Sequence, residues 1–226
     1  MPIDQSSQIV ITGFDWVPDF AKGYVRDLRA RWACEEAGIG YRTRLISAFD
    51  RPEWFYAEQP WGQVPVLKDG DIHLFESGAI LLHLGEKDER LLPRHGQARA
   101  DATGWLFAAY NSVEPLSFEM TRVAMAGDAD WAKLREPSLR ETIASALDRL
   151  QTAIGDREWL AGAFSVADIA MVTVLRELHG KDLLDPHPDL AGYLQRGMAR
   201  PAFQSALAAQ LADFDDSRAP NPKQEA

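Results

Sequence analysis

The hydrophobic positions in the first part of the chain alternate between the period of a strand and the period of a helix. Gln8–Thr12 is a β-branched run that stops at Gly13, which predicts a first strand. Between Tyr24 and Ala37, small residues recur at helical spacing, and Gly38 follows as the residue expected just beyond a helix. The pattern therefore predicts a strand, a loop and a helix that packs closely through small side chains.

Five further elements are predicted before the first long charged stretch. They are a weakly alternating strand, a short helix, the two strands of a hairpin and a third helix, over Tyr41–Ile46, Pro52–Ala57, Val64–Leu67, Ile72–Phe75 and Gly78–Leu84. The hairpin turn falls at Lys68–Asp71, and Ser77 opens the third helix. The order β-α-β-α-β-β-α predicts an α/β domain over residues 1–86, with a small sheet covered by helices on both faces.

Beyond residue 86 the pattern changes to that of an all-helical region. Residues 87–97 are charged and contain Pro93 and Gly96, which is typical of a linker between domains. Helices are predicted for a long amphipathic segment beginning near Trp105 and for four later stretches, Leu139–Ile154, Val166–Leu178, Leu190–Ala199 and Ala202–Leu211. These helices assign residues 98–214 to a second, all-α domain. Residues 215–226 are predicted to be a disordered tail.

Composition and charge exclude several classes of function without identifying one. The chain has 226 residues, and its 34 acidic side chains outnumber its 24 basic ones, for a net charge of −10. This balance argues against nucleic acid or an anionic membrane as a partner. The N-terminus has no secretion signal and no apolar stretch is long enough to span a membrane, so we expect a cytoplasmic protein.

The use of cysteine and histidine gives no sign of metal or dithiol chemistry. Cys34 is the only cysteine, which fits a reducing compartment, and its neighbours Ala33 and Ala37 favour a buried structural thiol. The five histidines show no metal-ligand spacing, and no glycine motif for phosphate or dinucleotide binding is present. We therefore expect no bound metal and no cofactor.

The most informative cluster combines a Val-Pro pair with a Glu-Ser pair shortly downstream. Val64-Pro65 lies in the run Trp61–Leu67, and Glu76-Ser77 lies where a strand passes into a helix. By itself, the proline is typical of the start of an edge strand. Ser77 as the N-cap residue, together with the free amides of the first helical turn, would form a site for an anion.

On this cluster, on the first helix that ends at glycine, and on a box at residues 163–170, the sequence resembles the glutathione transferase family. The resemblance extends over nearly the whole chain in the order of elements. It implies a thioredoxin-like N-terminal domain that binds glutathione, followed by an all-α helical-bundle domain. The chain resembles an atypical, bacterial class of the family, which lacks the usual Ser or Cys activator.

The resemblance assigns glutathione-binding roles to Gln63, Val64, Pro65, Glu76 and Ser77. In the family the bond before the proline is cis, and the backbone of the preceding residue, here Val64, pairs with the cysteinyl unit of glutathione. Ser77 would bind the γ-glutamyl carboxylate, Glu76 the γ-glutamyl ammonium, and Gln63 the glycyl end. A capped helix with a solvated glutamate explains the Glu-Ser pair equally well when that pair is taken alone.

The box at residues 163–170 supports the fold and carries no chemistry. Ser165 and Asp168 have the spacing of a capping box, in which each side chain satisfies the free amide of the other residue. Phe164 and Ile169 are placed to form a hydrophobic staple beside it. In the family this box starts the core helix of the second domain.

The residue that activates the glutathione thiol is where the sequence departs from the family pattern. Aligned on Glu35–Gly38, the activating position falls on Tyr24–Asp27, where no Ser or Cys stands. A free thiol with a pKa of about 8.5 is mostly protonated at neutral pH, so a donor or a positive charge is needed near sulfur. Arg26 and Tyr24 are the candidate catalytic residues, with Arg26 ranked first. In the alternative, Arg26 and Arg29 form a solvated face and Tyr24 packs in the loop.

The resemblance implies an enzyme that adds the sulfur of glutathione to an apolar electrophile. Trp16 and Tyr110 are the candidate residues of the electrophile pocket, although core packing explains most aromatic side chains equally well. Two other functions stay open. One is a non-catalytic binding protein of the same fold, which the missing Ser or Cys favours, and the other is a glutathione-dependent peroxidase or thiol reductase. The implied partners are glutathione as co-substrate and a second copy of the chain in a C2 homodimer.

Overall fold

Seven elements open the chain in the predicted order β-α-β-α-β-β-α, in a computed structural model that describes residues 2–220. They are β1 (Ile9–Phe14), α1 (Asp27–Ala37), β2 (Arg42–Ile46), α2 (Phe55–Glu58), β3 (Val66–Asp69), β4 (Ile72–Phe75) and α3 (Ser77–Gly85). They belong to the first of two compact units, which runs to Lys87 and includes the chain again from Pro201. The second unit is Asp88–Arg200.

The four strands form one mixed sheet in the order β2-β1-β3-β4. β1 pairs with β2 in parallel and with β3 in antiparallel orientation, and β3 and β4 form the predicted hairpin. The turn of that hairpin is only Gly70-Asp71, because Lys68 and Asp69 pair with His73 and Ile72 in the ladder. The β-branched residues Ile9–Ile11 are buried, as expected for a central strand.

A polar network joins three strands of this sheet to α2. Arg44 on β2 donates to the hydroxyl of Thr12 on β1 and to the carboxylate of Glu58 at the end of α2. Lys68 on β3 contacts the same carboxylate at 2.7 Å. The hydrogen bonds from Arg44, followed by those from Lys68, lower the pKa of Glu58 to about 2 against the opposing effect of burial.

Two helices begin later than the hydrophobic pattern predicts. Helix α1 starts at Asp27 and not at Tyr24, because residues 24–26 form a tighter turn, in which the amide of Leu28 bonds to the carbonyl of Val25. Helix α2 starts at Phe55 and not at Pro52. Helix α1 ends at Ala37 as predicted, and Gly38 takes the left-handed conformation expected after it, with a φ of 66°. Helix α2 ends at Glu58, one residue beyond the predicted Ala57.

The last helix of the chain packs against the first one. Helix α9 (Pro201–Ala212) is grouped with the first compact unit, while the sequence pattern predicts an all-α domain over residues 98–214. The ring of Phe203 meets the ring of Trp32 on α1 edge to face, with centroids 4.9 Å apart. Of the predicted tail, Asp216–Arg218 forms a short 3-10 turn, and residues 221–226 lie outside the described residues.

The second unit contains five helices within its described range, Asp88–Arg200. They are α4 (Gly96–Ala108), α5 (Glu114–Ala126), α6 (Asp130–Ile154), α7 (Val166–Arg176) and α8 (Pro188–Met198). The long helix predicted near Trp105 is divided by a π-helical turn, Ala109–Val113, because Pro115 has no amide to continue the regular hydrogen bonds. The stretch between α3 and α4 contains no strand or helix.

Helix α7 forms the core of this second unit and begins with the predicted capping box. Its residues Val166–Leu175 are all buried. The Asp168 carboxylate accepts hydrogen bonds from the amides of Leu160 and Ser165, at 3.0 and 2.9 Å, and from the Tyr193 hydroxyl at 2.9 Å. Burial raises the pKa of Asp168, while these hydrogen bonds oppose the rise. This box is structural, as predicted.

Candidate functional site

The Val64–Pro65 peptide bond is cis, as the resemblance implied. It lies directly before β3, in a loop that the buried side chain of Gln59 organises. The Gln59 side-chain oxygen Oε1 accepts hydrogen bonds from the backbone amides of Trp61 and Gln63, at 2.6 and 3.2 Å. The Gln63 side chain is exposed. The structure thus fixes the backbone on both sides of Gly62 and leaves the polar end of Gln63 directed to solvent.

The Glu76-Ser77 pair lies at the junction of β4 and α3, but Ser77 is not the N-cap residue. Glu76 occupies that position with a φ of 70°, and no side chain caps the helix there. The helix therefore starts at Ser77, one residue earlier than predicted, directly after the left-handed conformation of Glu76. A non-glycine residue in this region is strained, and such strain is concentrated at binding sites. The first amides of α3 still provide an anion site.

A buried arginine that the sequence pattern did not single out lies beneath this helix terminus. Arg29 on α1 is only 2% exposed, and its Nη1 atom donates to the Ser77 hydroxyl at 3.3 Å. The alternative in which Arg26 and Arg29 form a solvated face is therefore wrong for Arg29. A positive charge at this place adds to the helix dipole and favours a carboxylate ligand. The sequence does contain an indication of this burial. Charged residues lie on every side of α1, so packing the helix against the sheet and α9 buries some of them.

Two further charges of α1 are buried beside Arg29. Asp27 and Arg31 form an ion pair at 2.7 Å, and Arg31 contacts Asp213 after α9 at the same distance. Burial raises the pKa of Asp27, with Arg31 acting in the opposite direction. Gly13 on β1 leaves room for the pair, because a Cβ atom there would lie 3.0 Å from the Asp27 carboxylate. The N-terminal half of α1 is thus held by charged contacts.

The two candidate activators lie where α1 begins. Arg26 is the N-cap residue of α1 and is half-buried, and Tyr24 precedes it with 44% of its surface exposed. Their role in thiol activation stays a prediction. Cys34, further along α1, is buried as expected, and burial raises the pKa of its thiol.

The two candidates for the electrophile pocket lie in different units. Trp16 belongs to the first unit, where its indole N–H donates to Asp216 at 3.2 Å and its ring lies 5.6 Å from that of Phe49. Tyr110 belongs to the second unit, in the π-helical turn Ala109–Val113. Their joint pocket stays a prediction.

Arg51 is a second cation that the sequence pattern did not single out. Its guanidinium carbon lies 5.3 Å from the ring centroid of Phe14, at the end of β1. Its Cδ atom lies 3.2 Å from where a Cβ on Gly62 would be, so it borders the loop that leads to Val64. Its Nε atom is buried, with no hydrogen-bond partner in the part of the chain that the structure describes. Arg51 therefore brings a positive charge to the loop that leads to the cis bond.

Within residues 2–220, no group of three or more His, Cys, Asp or Glu side chains is arranged to hold a metal ion. No helix in that range is long and apolar enough to cross a membrane.

Comparisons with known proteins agree on one family. Family models match in both parts of the chain, "Glutathione S-transferase, N-terminal domain" over residues 20–86 and "Glutathione S-transferase, C-terminal domain" over residues 119–210. The chain is 30% identical to Glutathione S-transferase 4 of Zea mays over 213 residues, which are 87% of this chain and 92% of the relative. It is 31% identical to the probable glutathione S-transferase GSTF2 of Oryza sativa subsp. japonica, over 75% of this chain and 85% of the relative.

Solved structures agree on the fold. A glutathione transferase family member from Pseudomonas fluorescens pf-5, with two glutathione bound, superposes with a TM-score of 0.78 at 23% identity, over 91% of this chain and 95% of that one. This likeness confirms the predicted fold class, a thioredoxin-like domain followed by an all-α domain. Together with the family models and the cereal relatives, it leads to one conclusion. The chain belongs to the glutathione S-transferase family.

Proposed function

We propose that the protein is an enzyme that transfers glutathione to an apolar, electrophilic small molecule. The observation that carries the proposal is the joint presence, in one unit, of the cis Val64–Pro65 bond and of the Ser77 helix terminus with Arg29 beneath it. A cis bond directs backbone groups toward an extended peptide, and a helix terminus beside a buried cation favours a carboxylate. The relatives named above, which are glutathione S-transferases, support the same function.

Glutathione is held through its backbone and its charged ends. The Val64 backbone pairs with the cysteinyl unit, and Ser77 with the first amides of α3 binds the γ-glutamyl carboxylate, with Arg29 supplying charge. The exposed Glu76 carboxylate accepts from the γ-glutamyl ammonium. Arg51 and Gln63 bind the glycyl carboxylate, because Arg51 brings a cation to this loop that lacks a hydrogen-bond partner at Nε among the described residues. These contacts fix the sulfur near the start of α1.

The chemistry requires the thiolate form of glutathione. Arg26, or Tyr24 in its place, stabilises the sulfur anion, so that the thiol proton is released to solvent at neutral pH. The sulfur then attacks the electrophilic carbon, a carbon–sulfur bond forms, and the leaving group departs with the electron pair of the broken bond. The dipole of α1 contributes in the same direction.

The test is a titration of glutathione bound to the protein, followed by thiolate absorbance against pH. A bound thiol with a pKa at least about one unit below that of free glutathione is the expected result. Arg26→Ala should raise this pKa by about one unit, and Tyr24→Phe should raise it less. If only Tyr24→Phe raises the pKa of the bound thiol, Tyr24 is the activator. Turnover of a chromogenic aryl halide by the same samples should fall in the same order.

A non-catalytic binding protein is the second candidate. It is favoured by the absence of Ser and Cys from residues 24–27, where the family places its activator. Tight binding of glutathione with an unshifted thiol pKa, and no turnover of aryl halide or organic peroxide, would support this function over the enzyme. Turnover of the peroxide alone would support a glutathione-dependent peroxidase.

We also propose a cytoplasmic C2 homodimer. Each unit exposes large apolar side chains, among them Trp61 at 69% in the first and Leu134 at 82% in the second, and such side chains are frequent at interfaces. The lone, buried Cys34 suits a reducing compartment. Light scattering at micromolar concentration should give twice the chain mass of 25.2 kDa, and a stable monomer would contradict the proposal.

A further inference from the structure

The residues that follow α9 lie along the loop between β1 and α1. We call residues Asp213–Arg218 the C-terminal strap and residues 15–26 the β1–α1 loop. The backbone amide of Asp215 in the strap donates to the carbonyl of Asp15 in the loop at 2.8 Å. Arg218 extends the contact, with its guanidinium 3.7 Å from the Asp15 carboxylate. Two chain segments that are far apart in sequence are therefore joined by both backbone and side chains.

Asp216 joins two separate points of the loop through a single carboxylate oxygen. Its Oδ1 atom accepts from the Trp16 indole at 3.2 Å and from the Lys22 ammonium at 2.7 Å. Lys22 also pairs with Asp19, which lies between them, at 2.8 Å. Because both donors meet at one atom, the stretch from Trp16 to Lys22 cannot open without breaking a contact to Asp216.

The strap itself is fixed at its start by buried contacts. Asp213 pairs with Arg31, which is 1% exposed. Near the end of α9, the Gln210 side-chain amide donates to the Val25 carbonyl at 3.0 Å and to Asp27 at 2.6 Å. Movement of the strap is therefore restrained by α1, and this restraint reaches the loop through Asp215 and Asp216.

The loop in turn begins and ends beside the cis bond. Phe14, just before the loop, and Val25, near its end, both pack against a buried cluster that contains Val64. The other members of that cluster are Ile46, Phe55 and Val66. The position of the loop thus sets one side of the space next to Val64.

We infer that the C-terminal strap is a positioning element of the glutathione site, and that Asp216 holds the β1–α1 loop in the conformation that activates the thiol. The inference rests on the proposed function. Asp216 touches no reacting atom and acts through the loop that leads to Tyr24 and Arg26. An exposed ion pair adds little to global stability, so its loss should change the loop without unfolding the protein.

The test compares Asp216→Ala and Asp216→Asn with Asp71→Ala in the full chain. Asp71 is the matched control, because it is an exposed aspartate of the same unit in the hairpin turn. Amide hydrogen exchange of residues 16–22 should be about three- to fivefold faster in Asp216→Ala. The pKa of bound glutathione should rise by about half a unit, and kcat should fall about threefold while KM for glutathione changes less. Asp216→Asn, which keeps an acceptor for Trp16, should lie between.

Two results would overturn the inference. If exchange in the loop is unchanged in Asp216→Ala, the strap does not order the loop. If exchange is faster but the thiol titration and kcat match those of Asp71→Ala, the strap orders the loop without a role in the chemistry. A wild-type protein that binds no glutathione would instead refute the proposed function, and the chemical role of the strap with it, whatever the exchange rates of the variants.

Discussion

Ser77 is the residue at which the anion site can be tested most directly. Because Ser77 is the first helical residue and not the cap, Ser77→Ala should leave the start of α3 intact. It should remove a contact to the γ-glutamyl carboxylate, weakening glutathione binding by about 1–2 kcal/mol, or roughly five- to thirtyfold. Calorimetric titration measures the change. Ser145→Ala, at an exposed serine of the second unit, is the control and should bind as wild type does. Unchanged affinity in a folded Ser77→Ala protein would contradict the assignment.

Glu58 makes the stability of the first unit depend on pH in a defined direction. Its pKa is lowered from 4.5 to about 2 by Arg44 and Lys68. A carboxyl group with a lowered pKa in the folded state stabilises that state fully above its unfolded pKa, and the contribution is lost as the pH falls through the folded value. Glu58→Gln should therefore lower the urea midpoint at pH 7. The gap between variant and wild type should narrow as the pH drops from 5 toward 2, and a constant gap would refute this cause.

Side-chain identity explains why some of the site could be predicted from sequence and some could not. The family resemblance implies the cis bond before Pro65, and residues close in sequence predict the strand-to-helix junction at Glu76-Ser77. Arg29 donates to Ser77, 48 positions away, and Arg51 borders Gly62 across a loop, and no local spacing reports such pairs. The predicted N-cap at Ser77 is wrong by one residue. Glu76 adopts a positive φ, and no glycine stands there to indicate such a conformation in the sequence.

At the level of elements, Gly197 is a point of close approach between α8 and α7. A Cβ atom at Gly197 would lie 2.5 Å from a methyl group of Val172, whose branched side chain is stiff and buried. Gly197→Ala should therefore lower the free energy of unfolding by about 1–3 kcal/mol. Gly104→Ala in α4 is a matched control, because nothing lies within 4 Å of a Cβ there. The control should raise stability by up to about 1 kcal/mol.

The order and type of the elements were predictable, while their ends and long-range partners were less so. The strands, the hairpin and the capping box each follow from residues that touch within one element or one turn. The π-helical turn before α5 depends on Pro115, and the apolar pattern of the long helix does not predict this interruption. The packing of α9 on α1 depends on Phe203 meeting Trp32, and the hydrophobic pattern of α9 alone fits either unit equally well.

At the scale of the whole molecule, the first unit should not fold from its N-terminal residues alone. In a fragment of residues 1–87, the buried Arg31 would lack Asp213 and Trp32 would lack Phe203, leaving a charge and a large apolar surface without their partners. We expect such a fragment to show no cooperative urea transition. Residues 1–87 joined by a flexible linker to residues 201–220 should recover one. A cooperative transition in the short fragment would refute the dependence on α9.

The return of the chain to α1 has a consequence for biosynthesis. Domains usually fold in the order in which they leave the ribosome, the N-terminal one first. Here the entire second unit is synthesised before α9 and Asp213 become available to α1. The N-terminal unit therefore cannot complete its contacts with α9 until the second unit has been synthesised, while the second unit can already fold. A premature stop codon that removes α9 would therefore leave the N-terminal unit incompletely folded, although the mutation lies near the C-terminus.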